Sequence, residues 1–495
     1  MDETPAFALR SEPRLIAKHA SFPYQQEAVT FVQSREACAI FHEQGLGKTK
    51  IAIDAILAWL GTKQIDTALV FTKKALVDNW RREFAQHSYL KPSVLTDSGS
   101  HNYYVLTAPV RVIIAHYEIA KKEEKRITAW LKTRKVAVVL DEAVKIKNPD
   151  ADLTQVFFRL SKLFAKRVVM TGTPSANRPF DVWALAYFLD HGETLGDDFR
   201  TFKRETDIPR DITVTDAAFA AYRSRLASIQ ERLARISIRE TKDGGRVVLP
   251  GKEFVRMECR WEPVQFELYR RVREDLRATL MREGQLVDED QEVILKRLLR
   301  LVQIACNPAL LDESYREEPG KFGDLYDLVS DICRSGEKAI VFTQFNENSK
   351  WLARKLQPFG CLLLNGKMPM DRRTEAVRWF MENPSDRVLV ATTGAAKEGL
   401  TLTAANHVIF FDRGYSLDEY LQSQDRIHRV SQTRKCFVYN LIMRDSIDEW
   451  IEALIEQKRL AAQLVQGDIT PDAYAERANF SFTDLLNRIL AREPE

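Results

Sequence analysis

Three short strings in this 495-residue chain hold residue types that handle phosphate. Gly45-Leu46-Gly47-Lys48-Thr49 sets two glycines ahead of a lysine and a hydroxyl. Glycines let backbone N–H groups approach an anion, and a helix starting there adds partial positive charge. In that setting Lys48 reaches the β/γ-phosphates of a nucleotide and the Thr49 hydroxyl ligates Mg2+. The full pattern for such a loop begins with glycine, and His42 stands at that position. Further on, Asp141-Glu142 follows an apolar run: Asp141 is placed to hold Mg2+ through water and Glu142 to position an attacking water. An isolated acidic pair after a strand is ordinarily a solvated turn, and pairing with the Lys48 loop is what favours chemistry. In Gln422-Ser423-Gln424-Asp425-Arg426-Ile427-His428-Arg429, the two arginines lie three apart, a spacing that on a helix would put them on one side. Such a pair can stabilise charge on a transferred γ-phosphate, although its spacing alone fits a surface ion network better.

Elements that would position these strings are visible as short apolar runs. Ala37–Phe41, Ala68–Phe71, Val110–Ile114, Val136–Leu140 and Arg167–Met170 read as buried strands in the first part. Lys338–Phe342, Val388–Ala391 and His407–Phe411 repeat the pattern later. Runs of this kind separated by helix-length segments predict α/β architecture, with parallel sheets covered by helices. Between them, Phe180 to Leu311 is charged and helically periodic, with almost no strand-like runs. The expected organisation is a first sheet domain over 1–179, a helical insertion over 180–311, a second sheet domain over 312–467 and a helical tail over 468–495. Asp312–Lys321 is the expected linker, polar and carrying a Pro-Gly pair. Trp80 reads as core rather than a base-stacking residue, because Leu76 and Val77 share its helical face. Trp450 with Ile447, Ile451 and Leu454 reads as another packing stripe.

Composition narrows the class. Lys plus Arg total 73 against 70 Asp plus Glu, a net charge of +3, which excludes a polybasic coating protein but leaves room for a local basic groove. The six cysteines form no CxxC pair, so zinc modules are not expected and reduced core thiols are. No basic start with an apolar run opens the chain, and no apolar stretch approaches ~20 residues. The expectation is an intracellular, cytoplasmic protein with no membrane association.

In their order and separation these strings resemble the superfamily 2 helicases and translocases, and among them the Swi/Snf-type DNA-dependent ATPases. Phe22-Pro23-Tyr24-Gln25 is similar to the family's adenine-recognition motif, which implies that Gln25 reads the base. His42 to Thr49 resembles its nucleotide loop, so Gly45 and Gly47 carry over with Lys48 and Thr49. Asp141–Pro149 and Met170–Pro174 resemble motifs II and III. Ser237–Lys242 followed by Leu249–Lys252 resembles the arginine-lysine stretch before a Leu-Pro-x-Lys turn, and Leu301–Pro308 the helix before the second motor domain. Ile340–Phe345, including Gln344, resembles motif IV; Gly399–Ala405 resembles motif V; Gln422–Gln432 resembles motif VI. The resemblance implies two RecA-like domains, arginine-finger roles for Arg426 and Arg429, and nucleotide contact at Gly399. It covers Phe22 to Gly467. Two departures stand out: Val144 replaces the usual His or Gln of motif II, and Ala395-Ala396-Lys397-Glu398-Gly399 replaces the glycine-rich string of chromatin remodellers, closer to the annealing-helicase and prokaryotic or viral branches.

What this implies is a monomeric ATP- and Mg2+-dependent motor tracking along double-stranded or branched DNA, with a protein partner as one source of specificity. Thr72, Lys73 and Lys74 after the second strand, Lys145 and Lys147, and Gln344, Arg372 and Arg373 in the second domain are the candidate nucleic-acid contacts. A strand-separating or branch-migrating helicase is the rival within the class. An ATP-gated nucleic-acid-binding scaffold with little turnover is the rival outside it.

Overall fold

The computed structural model describes residues 13–478, apart from 176, 208–215, 245, 247–248, 283–284, 287–290, 397–399, 401 and 430. Its chain divides into two compact units. The first takes in residues up to Asp207, then Tyr222–Val247 and Ala461–Pro471; the second takes in Ile208–Ala221, Val248–Leu460 and the residues from Asp472.

The first unit is built on β1 (Ala37–Ile40), β2 (Thr67–Thr72), β3 (Ser93–Val94), β4 (Val112–His116), β5 (Val136–Asp141), β6 (Lys166–Met170) and β7 (Ser237–Ile238). They lie in the order β3-β4-β2-β5-β6-β1-β7, and each pairing is parallel. Every residue of β2 and β4 is buried, which is why both read as continuous apolar runs instead of alternating ones. Parallel strands need crossovers, and α1 (Pro23–Gln33), α2 (Lys48–Gly61) and α3 (Val77–His87) lay apolar faces on the sheet. Ala28 and Val32, Ile51, Ile56 and Trp59, and Trp80 and Phe84 pack in one cluster with Ile40, Val70, Ile114 and Val139. Each fully buried large apolar side chain there contributes about 1.5–3 kcal/mol. A sheet held this firmly fixes the loops at its strand ends, where ligands of such folds bind.

The second unit has β8 (Lys252–Cys259), the small antiparallel hairpin β9 (Met281–Arg282) and β10 (Gln285–Leu286), then β11 (Ala339–Thr343), β12 (Cys361–Leu364), β13 (Val388–Thr392), β14 (His407–Phe410) and β15 (Cys436–Met443). Its parallel sheet runs β12-β13-β11-β14-β15-β8 around a core of Ile340, Phe342, Leu389, Val408, Phe410 and Val438.

Two parallel sheets are as expected. The stretch 180–311 does carry long helices, Asp216–Ile236, Pro263–Leu280 and Gln291–Cys306, but it is divided between the units and also supplies a strand. β8 pairs with β15 from Lys252↔Cys436 to Cys259↔Met443. Its sequence, Lys-Glu-Phe-Val-Arg-Met-Glu-Cys, hides it: as an edge strand it keeps charges along its length, which is how exposed edges resist pairing with other chains. Trp450, Ile447, Ile451 and Leu454 are buried on one face of the helix Ile447–Gln466, as their spacing predicts. No described helix is long and apolar enough to cross a membrane. The helix expected near Ser481–Leu490 lies outside the described residues.

Candidate functional site

The glycine loop follows β1 and opens α2. Gly45 and Gly47 have φ of 87° and 75°, in the left-handed region that side chains disfavour. Gly47 is also the N-cap of α2, and a Cβ there would lie 2.3 Å from Gln25 Nε2. Conformation and close approach both demand glycine. Lys48 Nζ donates to the carbonyls of His42 (2.8 Å) and Glu43 (3.1 Å), which holds the ammonium over the mouth of the loop. Thr49 is the second residue of α2. His42 is buried, and burial followed by Lys48 pushes its pKa down to about 3, so it adds no charge beside the lysine. Gln25 Oε1 accepts the Phe22 N–H that caps α1 (3.0 Å), and its Nε2 donates to the Leu46 carbonyl (3.3 Å). Tyr24 Oη donates to the same carbonyl at 3.2 Å. The glutamine expected to read the base therefore touches the glycine loop itself.

The acidic pair ends β5. Asp141 Oδ2 accepts from the Trp80 indole N–H at 2.8 Å and from the Thr72 hydroxyl at 2.9 Å. Tyr117 Oη donates to the Asp141 carbonyl at 2.8 Å. Burial and then the neighbouring Glu142 raise the Asp141 pKa, and the two donors with Lys48 oppose that rise. Glu142 adopts φ 53° and ψ 48°, a left-handed conformation uncommon for a residue with a side chain. Its Oε1 accepts from Gln44 Nε2 at 3.3 Å, and its Oε2 faces Lys73 Nζ at 3.5 Å. Gly172, after β6, lies close enough that a Cβ would come 2.8 Å from Gln44 Cγ and 3.4 Å from Lys48 Nζ. Loop, acidic pair and the Thr171–Thr173 turn thus form one contiguous site on the first unit.

This donor set fits a nucleotide with a hard cation. Among the described residues no group of three or more His, Cys, Asp or Glu could hold a metal by itself. A magnesium ion bound mainly by phosphate oxygens and water needs only one carboxylate and one hydroxyl, which Asp141 and Thr49 supply.

The expected nucleic-acid contacts fare unequally. Thr72 is fully buried and committed to Asp141, so its hydroxyl serves the acidic site and not a phosphate backbone. The cause is its place as the last residue of β2, beside β5. Lys73 pairs with Glu142, and Lys74, largely exposed, pairs with Asp97 at 3.2 Å. Lys145 pairs with Glu118 (3.1 Å) and Lys147 with Asp181 (2.9 Å). In the second unit Arg372 is exposed and bonds Glu375, whereas Arg373 is spent on the Met368 carbonyl. Gln344 donates its backbone N–H to Asp412 Oδ1 at 2.9 Å, and its side chain packs on Gly414, where a Cβ would lie 2.3 Å from Oε1. Arg426 is buried, with Nε donating to the Gln422 carbonyl and Nη1 to that of Leu400. Arg429, partly exposed, donates Nε to the Asp425 carbonyl at 2.9 Å. Gly399 lies outside the described residues.

Sequence reading alone did not find Gln44, Tyr117 or the polar role of Trp80. Arg239 reads only as part of the arginine-lysine stretch, and its partners do not show in the sequence; it grips Asp468 through Nε (2.6 Å) and Nη2 (2.5 Å) while Nη1 donates to the Phe41 carbonyl, at the entry to the glycine loop, at 2.6 Å.

The family model of the SNF2-related domain matches residues 24–310, more than half of the chain, and that of the helicase conserved C-terminal domain matches 320–431. The chain belongs to the SNF2-related family. An uncharacterized ATP-dependent helicase of Mycoplasma pneumoniae is 26% identical over 90% of this chain and 42% of its own length. The RAD54-like DNA repair and recombination protein of Mus musculus is 26% identical over 87% of this chain and 64% of its own. The chain therefore spans less than two thirds of either relative. The SWI2/SNF2 ATPase core of Sulfolobus solfataricus, solved with double-stranded DNA, is 24% identical, with a TM-score of 0.42 over 98% of this chain and 100% of that one.

Proposed function

We propose that the protein hydrolyses ATP in response to nucleic acid and couples hydrolysis to movement along double-stranded DNA. The observation that carries this reading is the junction of the phosphate loop with the acidic pair. Gln44 donates to Glu142 at 3.3 Å and immediately precedes Gly45-Leu46-Gly47-Lys48, so one short loop touches both the acidic pair and the phosphate-binding lysine.

The residue roles follow from chemistry. Backbone N–H groups at Gly45 and Gly47 with the Lys48 ammonium hold the β- and γ-phosphates. Thr49 and Asp141 hold Mg2+, which when bound neutralises charge on the phosphate oxygens. Glu142 orients the attacking water, with Gln44 fixing its carboxylate. Gln25 reads the adenine, and Arg429, the more exposed of the two arginines, is the cation acting on the transferred phosphoryl group, while the buried Arg426 braces the backbone beside it through the Gln422 and Leu400 carbonyls. Lys73, Lys74 and Arg372 neutralise backbone phosphates without reading sequence, so binding weakens steeply with salt. Membership of the SNF2-related family and the activities for which its relatives are named support the reading.

The test is steady-state ATP hydrolysis with no nucleic acid, single strands, blunt duplex, forked DNA and RNA, with Lys48→Ala and Arg429→Ala alongside. Stimulation by duplex that both variants lose is the expected result. A flat response to every nucleic acid would sink the reading.

A further inference from the structure

Both oxygens of the Glu142 carboxylate are engaged. Oε1 takes the Gln44 amide at 3.3 Å, a neutral donor rooted in the phosphate loop. Oε2 faces the Lys73 ammonium at 3.5 Å, a full charge rooted in the loop after β2. The pair is only partly open to water, with Lys73 25% and Glu142 14% exposed, so bulk solvent screens it incompletely. The neighbourhood has a polarity. Lys74, next in sequence, points its ammonium to Asp97 in a largely exposed pair, and Lys145, across the acidic turn, pairs with Glu118. Lys73 is thus the member of this cationic group that reaches inward, to the residue that must handle the attacking water.

We propose that Lys73 is a positioning residue that restrains Glu142 until a nucleic-acid phosphate draws its ammonium away. The inference rests on the function proposed above and adds a cause for stimulation by nucleic acid. A cation against a carboxylate lowers its basicity and occupies the oxygen a water would use. A backbone phosphate competes for the same ammonium with a stronger local field, because neighbouring phosphates add to it. When Lys73 turns to the phosphate, its charge leaves Oε2 of Glu142 and the carboxylate regains basicity toward water, while Gln44 keeps it in place. The backbone of Glu142, held at φ 53°, limits how far the side chain can follow the lysine. Lys73 also follows Thr72 directly, whose hydroxyl holds Asp141, so the same short segment touches both acidic residues.

A lysine that only binds DNA and a lysine that restrains Glu142 give different kinetics. ATP hydrolysis is measured without DNA and across a titration of blunt duplex for the wild type, Lys73→Met, Lys73→Arg and the exposed control Lys121→Met, with thermal unfolding confirming that each is folded. Lys73→Met is expected to raise the DNA-free rate about three- to fivefold, as for loss of a partly exposed ion pair. Its DNA-saturated rate stays at the wild-type level, so the stimulation ratio shrinks by the same factor. Lys73→Arg restores the low DNA-free rate, and Lys121→Met leaves it unchanged. A DNA-free rate that stays level or falls in Lys73→Met, with only the half-saturating DNA concentration raised, would overturn the proposal and leave Lys73 a simple phosphate contact. If the wild type is itself unresponsive to duplex, the proposed function fails; a raised rate in Lys73→Met would then support the restraint but overturn its release by nucleic acid.

Discussion

The Trp80 indole N–H and the Thr72 hydroxyl converge on one oxygen, Oδ2 of Asp141, at 2.8 and 2.9 Å. On the proposed reading, Oδ1 is the oxygen that would face a metal's water. The convergence on Oδ2 also counters the burial and the Glu142 charge that raise the Asp141 pKa. A carboxylate whose folded pKa is raised gives stability that is fully present below its unfolded value and lost as pH rises through the folded one. Trp80→Phe keeps most of the packing but removes a donor to the ionised form, so the Asp141 pKa rises further. The acid limb of the ATPase pH profile is expected to move to higher pH, and half-saturating Mg2+ to rise about tenfold, as for other lost supports of metal ligands. An unmoved acid limb in Trp80→Phe would show that the hydrogen bond does not tune Asp141.

Gly172 makes a different demand. A Cβ there would meet Gln44 Cγ at 2.8 Å and the Gln44 backbone nitrogen at 3.1 Å, so Gly172→Ala must displace the residue that orients Glu142. The displacement acts on the water-positioning step more than on phosphate binding. Gly172→Ala is expected to lower kcat about tenfold or more with a smaller change in KM for ATP, because a misplacement of about 1 Å at a reacting centre can cost about a hundredfold. Gln44→Ala should lower kcat in the same direction without the clash. Equal losses in kcat and nucleotide affinity would place Gly172 in binding instead.

Which parts of this arrangement the sequence disclosed follows a physical line. Lys48, Asp141 and Glu142 are legible because phosphate chemistry restricts residue type and spacing, and long apolar runs such as Ala68–Phe71 betray strands buried on both faces. Trp80 reads correctly as core from its helical neighbours, yet its N–H points at a carboxylate contributed 61 residues later, a link no local pattern carries. Thr72 reads as a phosphate contact because it ends a strand beside two lysines. The sheet order that places β2 against β5, and so turns its hydroxyl inward, is a nonlocal fact. β8 stays hidden because edge strands carry charges that mimic a helix face.

Arg239 and Asp468, 229 residues apart, form a two-pronged pair at 2.6 and 2.5 Å within the first unit. The third prong of the guanidinium holds the Phe41 carbonyl, and beside it Gln466 Nε2 donates to Ser175 Oγ at 3.3 Å. The segment from Gln466 to Asp468 is thereby fastened to both β1's exit and the turn after β6. Both members of the ion pair are mostly buried, with side chains 14% and 16% exposed. Arg239→Lys loses the fork geometry that a carboxylate matches. Arg239→Ala and Asp468→Ala are each expected to destabilise the protein, with a coupling of about 1–3 kcal/mol in a double-mutant cycle read by denaturant unfolding. Additive effects would mean that each residue acts through other contacts.

Lys321 and Asp448 give the second unit a buried counterpart. Lys321 is fully buried, its Nζ 2.6 Å from Asp448 Oδ2 and donating to the Phe411 carbonyl at 3.0 Å. Next along the chain, Asp412 accepts from Thr343 and from the Gln344 N–H, so the ion pair supports the turn that presents Gln344. Burial alone pushes the Lys321 ammonium down, and the Asp448 carboxylate outweighs it, leaving the pKa raised. Stability from a raised lysine is fully present below its unfolded pKa and lost as pH rises through the folded value. Lys321→Met strands the Asp448 charge and is expected to cost about 3–5 kcal/mol, whereas Lys321→Met with Asp448→Leu costs less because no buried charge is left unpaired. Asp448→Asn should bring alkaline unfolding to lower pH, since the attraction that holds Lys321 protonated is gone. Thermal unfolding across neutral to alkaline pH measures both effects, and an alkaline midpoint unchanged in Asp448→Asn would show that the pair does not hold this unit together.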